Sequence, residues 1–168
     1  HQGGYSNYLS YRRQRRQMPI AVAFGGDPAL MFAAASPFPP NTDECLFASF
    51  LRGDGIELVR GRSVEIDVPA DADIILEGLI DTTAGPEPVG PIAQETGFYG
   101  LSVQRPVMQV TAVTHRSNPM LPAIIPGPPP TEASWLSKAS ERVFLPFIKL
   151  HVPELADLNW PRSGVGRN

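Results

Sequence analysis

The sequence predicts an α+β fold in which an antiparallel sheet closes into a barrel and helices flank it. Three observations carry this prediction. Helical and strand-like stretches come in blocks, which argues against the strict alternation of a parallel doubly wound sheet. Residues 56–125 are dominated by short apolar or alternating runs separated by turn residues. The 168 residues suffice for one domain with a real core and fall short of two large ones.

Residues 4–17 read as a polar and aromatic helix, with Tyr5, Tyr8 and Tyr11 about one turn apart on one face. Met18-Pro19 stops that helix, and residues 20–24 form a short apolar strand. Gly25-Gly26 makes a turn, Asp27 caps the next helix and Pro28 occupies its first position, where no amide partner is needed. That helix, residues 29–35, is small and apolar, so burial is expected. Residues 36–40 (SPFPP) form a rigid extended connection. Asn41 or Thr42 caps a further helix that runs to about Arg52 and ends at Gly53.

Strands are expected at residues 56–60, 63–68, 73–80 and 107–114, with 121–125 as a further possibility. The second alternates, placing Val64, Ile66 and Val68 on one side and Glu65 and Asp67 on the other. Residues 126–130 are too rich in proline for sheet or helix. Thr131 then caps a long helix from Glu132 to about His151, kinked at Pro146.

The formal net charge of -3 argues against nucleic acid as the main partner. The one concentrated basic stretch, Arg12-Arg13-Gln14-Arg15-Arg16, is either a solvated helix face or an electrostatic contact to a phosphate or a neighbouring subunit. Cys45 is the only cysteine, which excludes a disulfide framework and a thiolate metal cluster and fits a cytoplasmic location. No apolar run reaches the length of a membrane span. The chain begins at His1, its first methionine is Met18 and its last residues look like the middle of a turn, so a piece of a longer polypeptide is expected.

Five stretches carry a family resemblance: MPIAVAFGGDPALMFAAASPFP (18–39), ECLFASFLRG (44–53), VEIDVPADADIILEG (64–78), THRSNPMLPAIIPGPPPTEASWL (114–136) and DLNWPRSGVGRN (157–168). Each is weak alone, but their order and spacing together resemble the UbiD family of decarboxylases, which use a prenylated flavin. The resemblance implies a flavin-binding-like split antiparallel β-barrel over residues 1–126, incomplete at its N-terminus. Residues 127–168 are then a linker and helical arm leading to a C-terminal oligomerisation domain. It further implies prenylated FMN, a divalent manganese or magnesium ion, a monovalent potassium ion, a flavin prenyltransferase as cofactor supplier and homo-oligomers in the full-length form. The substrate class it implies is an aromatic or α,β-unsaturated carboxylic acid.

The same resemblance distributes site residues. His1, Gln2 and Gly3 match a His-Arg-Gly-Gly stretch against the flavin phosphate, with Gln2 replacing the arginine. An amide offers phosphate only neutral hydrogen bonds where a guanidinium offers charge-assisted ones. Glu44 matches the metal-binding glutamate; a hard carboxylate oxygen suits manganese or magnesium, and an acid in a first helical turn is also common for its own sake. Ala35 and Ser36 match positions whose backbone helps hold the monovalent cation.

Residues 89–100, VGPIAQETGFYG, match the stretch that carries the family's paired acids. Val89 falls on the first acid and Gln94 on the second, the proton donor. Glu95 is adjacent and Glu87 lies two residues before Val89, so a local shift restores an acid, or both are loop-solvating charges. Three readings follow: part of a working prenylated-flavin decarboxylase, a non-catalytic paralogue or subunit with an assembly role, or a flavin barrel with redox work.

Overall fold

The structure, a computed structural model, describes residues 2–36, 38, 43–94, 98–125, 127, 128 and 130–161, the side chain of Gln2 excepted. The chain divides into two compact units, residues 1–88 with 104–122, and residues 89–103 with 123–168. The elements in order are α1 (Gln2–Arg13), β1 (Met18–Phe24), α2 (Pro28–Ala35), α3 (Glu44–Arg52), β2 (Leu58–Arg60), β3 (Asp67–Pro69), β4 (Ile74–Ile80), β5 (Glu87–Val89), β6 (Ile92–Ala93), β7 (Tyr99–Gly100), β8 (Val103–Arg105), β9 (Met108–His115) and α4 (Glu132–His151).

In the first unit, β4 is the centre of a three-stranded antiparallel sheet, β1-β4-β9. Met18 pairs with Ile80 at one end and Phe24 with Ile74 at the other. On its far side β4 pairs with β9, with a register shift between Glu77 and Gly78. The apolar runs make this the natural sheet: a central strand is flanked on both edges, and IILEGLI is the most continuously buried segment of the chain. α1 covers one end of it, where Tyr8, Met18 and Ile80 form a buried cluster joined by Leu9, Tyr11, Ile20 and Met108. The tyrosine periodicity of α1 thus has its reason, and Tyr5 stacks on Tyr8 with ring centroids 6.2 Å apart.

The remaining strands pair two by two: β2 with β3, β5 with β8 and β6 with β7. The fold is therefore α+β with antiparallel sheets, as expected, but among the described residues the strands do not close into a barrel.

Several local expectations need correction. α1 starts at Gln2 and ends at Arg13, before the proline. α2 was expected to be buried, but only Ala33 of it is fully so, because a helix of eight residues packs on α3 by a single face. The cap of α3 is Asp43, whose carboxylate accepts from the amides of Cys45 and Leu46, and not Asn41 or Thr42, which lie outside the described residues. The strand expected over 63–68 shrinks to Asp67–Pro69, and residues 121–125 form no strand. The expected caps at Asp27 and Gly53 are present: Asp27 accepts from the Ala29 amide at 2.7 Å, and Gly53 closes α3 in the left-handed region.

In the second unit, β6 and β7 form a short hairpin pairing Ile92 with Gly100 and Ala93 with Tyr99. α4 begins at Thr131, whose amide donates to the Ser134 hydroxyl at 3.3 Å. Its buried Glu141 is held by Lys138 at 2.9 Å, by Arg142 at 2.6 Å and by the Trp160 amide at 2.5 Å, which pins the segment after the helix back onto it. The Trp160 amide first, and then Lys138, hold the Glu141 carboxyl below its usual range.

Candidate functional site

α2 and α3 form the scaffold for the expected metal-side residues. The Asp27 carboxylate that caps α2 also meets Arg52 Nε of α3 at 3.4 Å. That contact joins the start of α2 to the last turn of α3. Ala35 ends α2, Ser36 is its C-cap, and Glu44 is the first residue of α3.

Ser36 is buried and already engaged. Its hydroxyl donates to the Phe32 carbonyl at 2.7 Å, its amide donates to Ala33 O at 3.0 Å, and its own carbonyl accepts from the Phe38 amide at 3.0 Å. The carbonyl keeps one lone pair for a cation; the hydroxyl is spent on closing the helix. Ala35 is exposed, and Glu44 is exposed beside the capping Asp43. Cys45, next in line, is half-buried, and burial first, then Asp43 and Glu44, push its thiol up, which favours the protonated form. Among the described residues no group of three His, Cys, Asp or Glu gathers to hold a metal ion.

Of the expected phosphate-side residues, His1 lies outside the described residues, and Gln2 is described by its backbone alone. Gly3 is in α1 and faces open space: a Cβ added there meets nothing within 4 Å. Glu87 opens β5 and is exposed.

The proposed proton-donor stretch lies largely in the second unit. Gln94 follows β6, and its amide N–H donates to Phe98 O at 2.8 Å, closing the hairpin. Its side chain folds back, with Nε2 donating to Ile92 O at 3.4 Å and lying against Gly100, where an added Cβ would sit 2.8 Å from that nitrogen. A larger residue at 100 would push the exposed Gln94 amide aside. Glu95 lies outside the described residues.

Sequence reasoning missed two buried carboxylates that organise the first unit. Glu77, 1% exposed, accepts four hydrogen bonds: from the Arg62 amide (2.8 Å), the Ser63 amide (2.6 Å) and hydroxyl (3.0 Å), and the Val64 amide (3.1 Å). These donors, the Arg62 and Ser63 amides foremost, hold its carboxyl below the ordinary range. Asp73 accepts from the amides of Gly26 (2.9 Å) and Met120 (3.2 Å), and these lower its carboxyl likewise. Gly25 sits so close that a Cβ there would lie 2.2 Å from the Asp73 carboxylate, and its φ of 72° is in the left-handed region. An acid in an otherwise apolar strand, as in IILEGLI, was the available signal for Glu77. Both carboxylates spend their lone pairs on backbone amides, which is structural work.

Comparison with known proteins places this geometry. The model of the UbiD family, 3-octaprenyl-4-hydroxybenzoate carboxy-lyase Rift-related domain, matches residues 1–129. An uncharacterised protein of Aquifex aeolicus (strain VF5) is 38% identical over 168 residues, all of this chain and 35% of that protein. Among solved structures, an evolved dimeric form of the UbiD-class enzyme HmfF from Pelotomaculum thermopropionicum in complex with prFMN superposes with a TM-score of 0.83 at 34% identity, over 95% of this chain and 37% of that one. The closed form of Sedimentibacter hydroxybenzoicus vanillic acid decarboxylase gives a TM-score of 0.84 at 25% identity, over 92% of this chain and 33% of that one. The chain thus spans about a third of the length of these relatives. By a family match over three quarters of its residues, joined to the same fold in solved members, this chain belongs to the UbiD family.

Proposed function

We propose that the chain is the cofactor-binding central portion of a UbiD-class non-oxidative (de)carboxylase acting on an aromatic or α,β-unsaturated carboxylic acid through prenylated FMN. The observation that carries this reading is the likeness, over nearly the whole chain, to an enzyme bound to that cofactor. On this reading residues 1–126 belong to a split β-barrel completed by sequence outside this chain, and 127–168 lead to an oligomerisation domain. Homo-oligomers, a flavin prenyltransferase as supplier and a cytoplasmic location come with it.

Prenylated FMN, when bound, supplies the electron sink that lets a carbon–carboxylate bond break. The chain's own contribution is narrower. Glu44 offers one hard oxygen ligand at the start of α3, and the Ser36 carbonyl offers a lone pair to a monovalent ion. A single carboxylate is too few for a manganese or magnesium ion, which takes about six ligands, so the remaining ones come from phosphate, water or other parts of the polypeptide. His1, Gln2 and Gly3 are assigned to the phosphate side, where Gln2 contributes orientation without charge.

The proton is the critical point. Gln94 cannot exchange one near neutral pH, and its amide is folded onto the Ile92 carbonyl. Together with the apolar Val89, this favours the second reading, a non-catalytic paralogue or subunit that keeps the fold and its assembly surface. Glu95 and Glu87 are the remaining candidates for a proton donor on the first reading.

The test uses the full-length protein co-expressed with a flavin prenyltransferase, with carbon dioxide release measured over a panel of aromatic and unsaturated acids. If Gln94 stands on the lost acid, Gln94→Glu raises turnover by roughly two to four orders of magnitude while Glu95→Gln changes little. Loss of a clear wild-type activity in Glu95→Gln makes Glu95 the acid instead. No turnover in any variant that carries the flavin overturns the decarboxylase reading in favour of the non-catalytic one.

A further inference from the structure

We propose that an open cleft between the C-terminal end of α1 and the turn after β4 binds a tetrahedral oxyanion, phosphate or a phosphate ester, through Arg12 and Arg15. The cleft has a volume of about 330 Å³ and is lined by Arg12, Arg15, Thr82 and Thr83. Two of its four lining residues are arginines, whose guanidinium fork of N–H donors matches phosphate oxygens.

The way α1 ends is the first argument. The Arg16 amide donates to Tyr11 O and the Arg15 amide to Arg12 O, both at 3.1 Å. This is the crossed pair of bonds that closes a helix through a left-handed residue, a position that glycine normally fills. Here the residue is Arg15, with φ at 51°, and it is the only non-glycine residue with positive φ among those described. A side chain kept where its backbone is disfavoured points to a use for that side chain.

The second argument is what the arginines lack. Among the described residues, neither Arg12 nor Arg15 has a carboxylate within salt-bridge distance, a state they share with Arg13, Arg16, Arg62, Arg105 and Arg116. The nearby turn carries an ionised acid, Asp81, one oxygen of which is committed to that turn. It accepts from the Thr83 amide at 2.9 Å and hydroxyl at 2.7 Å, and the hydroxyl first, then the amide, hold it below its usual range. Both guanidinium groups are exposed and open to an anion from solvent.

The third argument is rigidity. Thr82 is 2% exposed, and its hydroxyl donates to Arg16 O at 2.8 Å, tying the turn after β4 to the end of α1 across 66 positions of sequence. Both threonine hydroxyls are thus engaged as donors, so they shape the cleft and the arginines hold the ligand. Arg16 is occupied separately, its guanidinium 5.6 Å from the Tyr11 ring centroid. The cleft is distinct from the stretch assigned above to the flavin phosphate. At about 1.5 Å per residue, Arg12 lies roughly 14 Å along α1 from Gly3.

The experiment titrates inorganic phosphate, and separately phenyl phosphate, into the full-length protein at low ionic strength by calorimetry. Wild type is compared with the Arg12→Gln/Arg15→Gln double variant and with Arg15→Gly. The double variant should bind phosphate roughly tenfold or more weakly, the order expected for lost charge-assisted bonds. Arg15→Gly should weaken binding too, yet raise the Tm, because glycine relieves the left-handed backbone. Tighter binding of phenyl phosphate assigns the cleft to an organic phosphate, and equal binding of the two assigns it to the free anion. No uptake by wild type, or equal affinities in wild type and the double variant, overturns the proposal.

Discussion

Replacing Glu77 with glutamine removes one charge and one acceptor from the most enclosed polar site of the first unit. In the wild type, Oε1 takes the Arg62 amide, and Oε2 takes the Ser63 amide and hydroxyl and the Val64 amide. In the best case for the variant, the glutamine oxygen occupies the Oε2 position and keeps three donors, and its NH2 group then faces the Arg62 N–H. That orphans two donors, the Arg62 N–H and the NH2 facing it, at about 1–3 kcal/mol each, and turns three charge-assisted bonds into neutral ones. A total of about 3 kcal/mol or more follows, equivalent to a change of roughly a hundredfold or more in a local opening equilibrium. Hydrogen exchange of the amides of residues 62–64, read at pH 7 in the full-length protein, should quicken by about that factor.

The pH dependence has a definite sign. The Glu77 carboxyl is held below its ordinary value of 4.5, so its stabilisation is fully present above that pH and is lost as pH falls through the lower, folded-state value. The gap between wild type and Glu77→Gln should therefore be widest at neutral pH and close in acid. Equal protection of the two proteins at pH 7, or a gap that persists unchanged into strong acid, refutes the reasoning.

Two further outcomes are expected. Gly25→Ala should lower the Tm, since the left-handed backbone alone costs roughly 1–2 kcal/mol and the new methyl must displace the Asp73 carboxylate; an unchanged melting curve would show that the turn relaxes freely. Glu44→Gln should weaken manganese binding by the full-length protein, read by titration calorimetry, and equal affinities would leave Glu44 as an ordinary acid in the first turn of α3.

What was legible in the sequence is what local chemistry determines. β1, β4 and β9 announced themselves as apolar runs, and Asp27-Pro28 and Gly53 announced helix ends, because caps and first-turn prolines act within a few residues. The stretch 63–68 misled for a non-local reason. Val64 and Val68 are both buried, so the alternation was real, but the amides of 62–64 donate to the Glu77 carboxylate and not to a strand. Residues 121–125 misled because an apolar run needs a partner, and Leu121, Ile124 and Ile125 are exposed with none beside them among the described strands. For the site, Ala35, Ser36 and Glu44 were singled out through the family pattern alone, with no local signal of their own. The position of Gln94 against Gly100 depends on a hairpin pairing that no local pattern encodes.

The Asp73 carboxylate also bears on how the chain acquires its fold. Its two amide donors, Gly26 and Met120, each lie 47 positions away, one upstream and one downstream. Its charge is thus fully met only after two long loops of equal span have closed, each with its own entropic cost. β4 can pair with β1 as soon as both exist, but its other edge waits for β9, and contacts of such high sequence separation slow folding. During synthesis, at about 5–20 residues per second, β4 emerges seconds before its second partner, an unpaired apolar edge exposed in the interval. Completing the first unit therefore waits on residues 104–122, and a nascent chain halted before β9 would present an unpaired apolar edge of β4 to its surroundings.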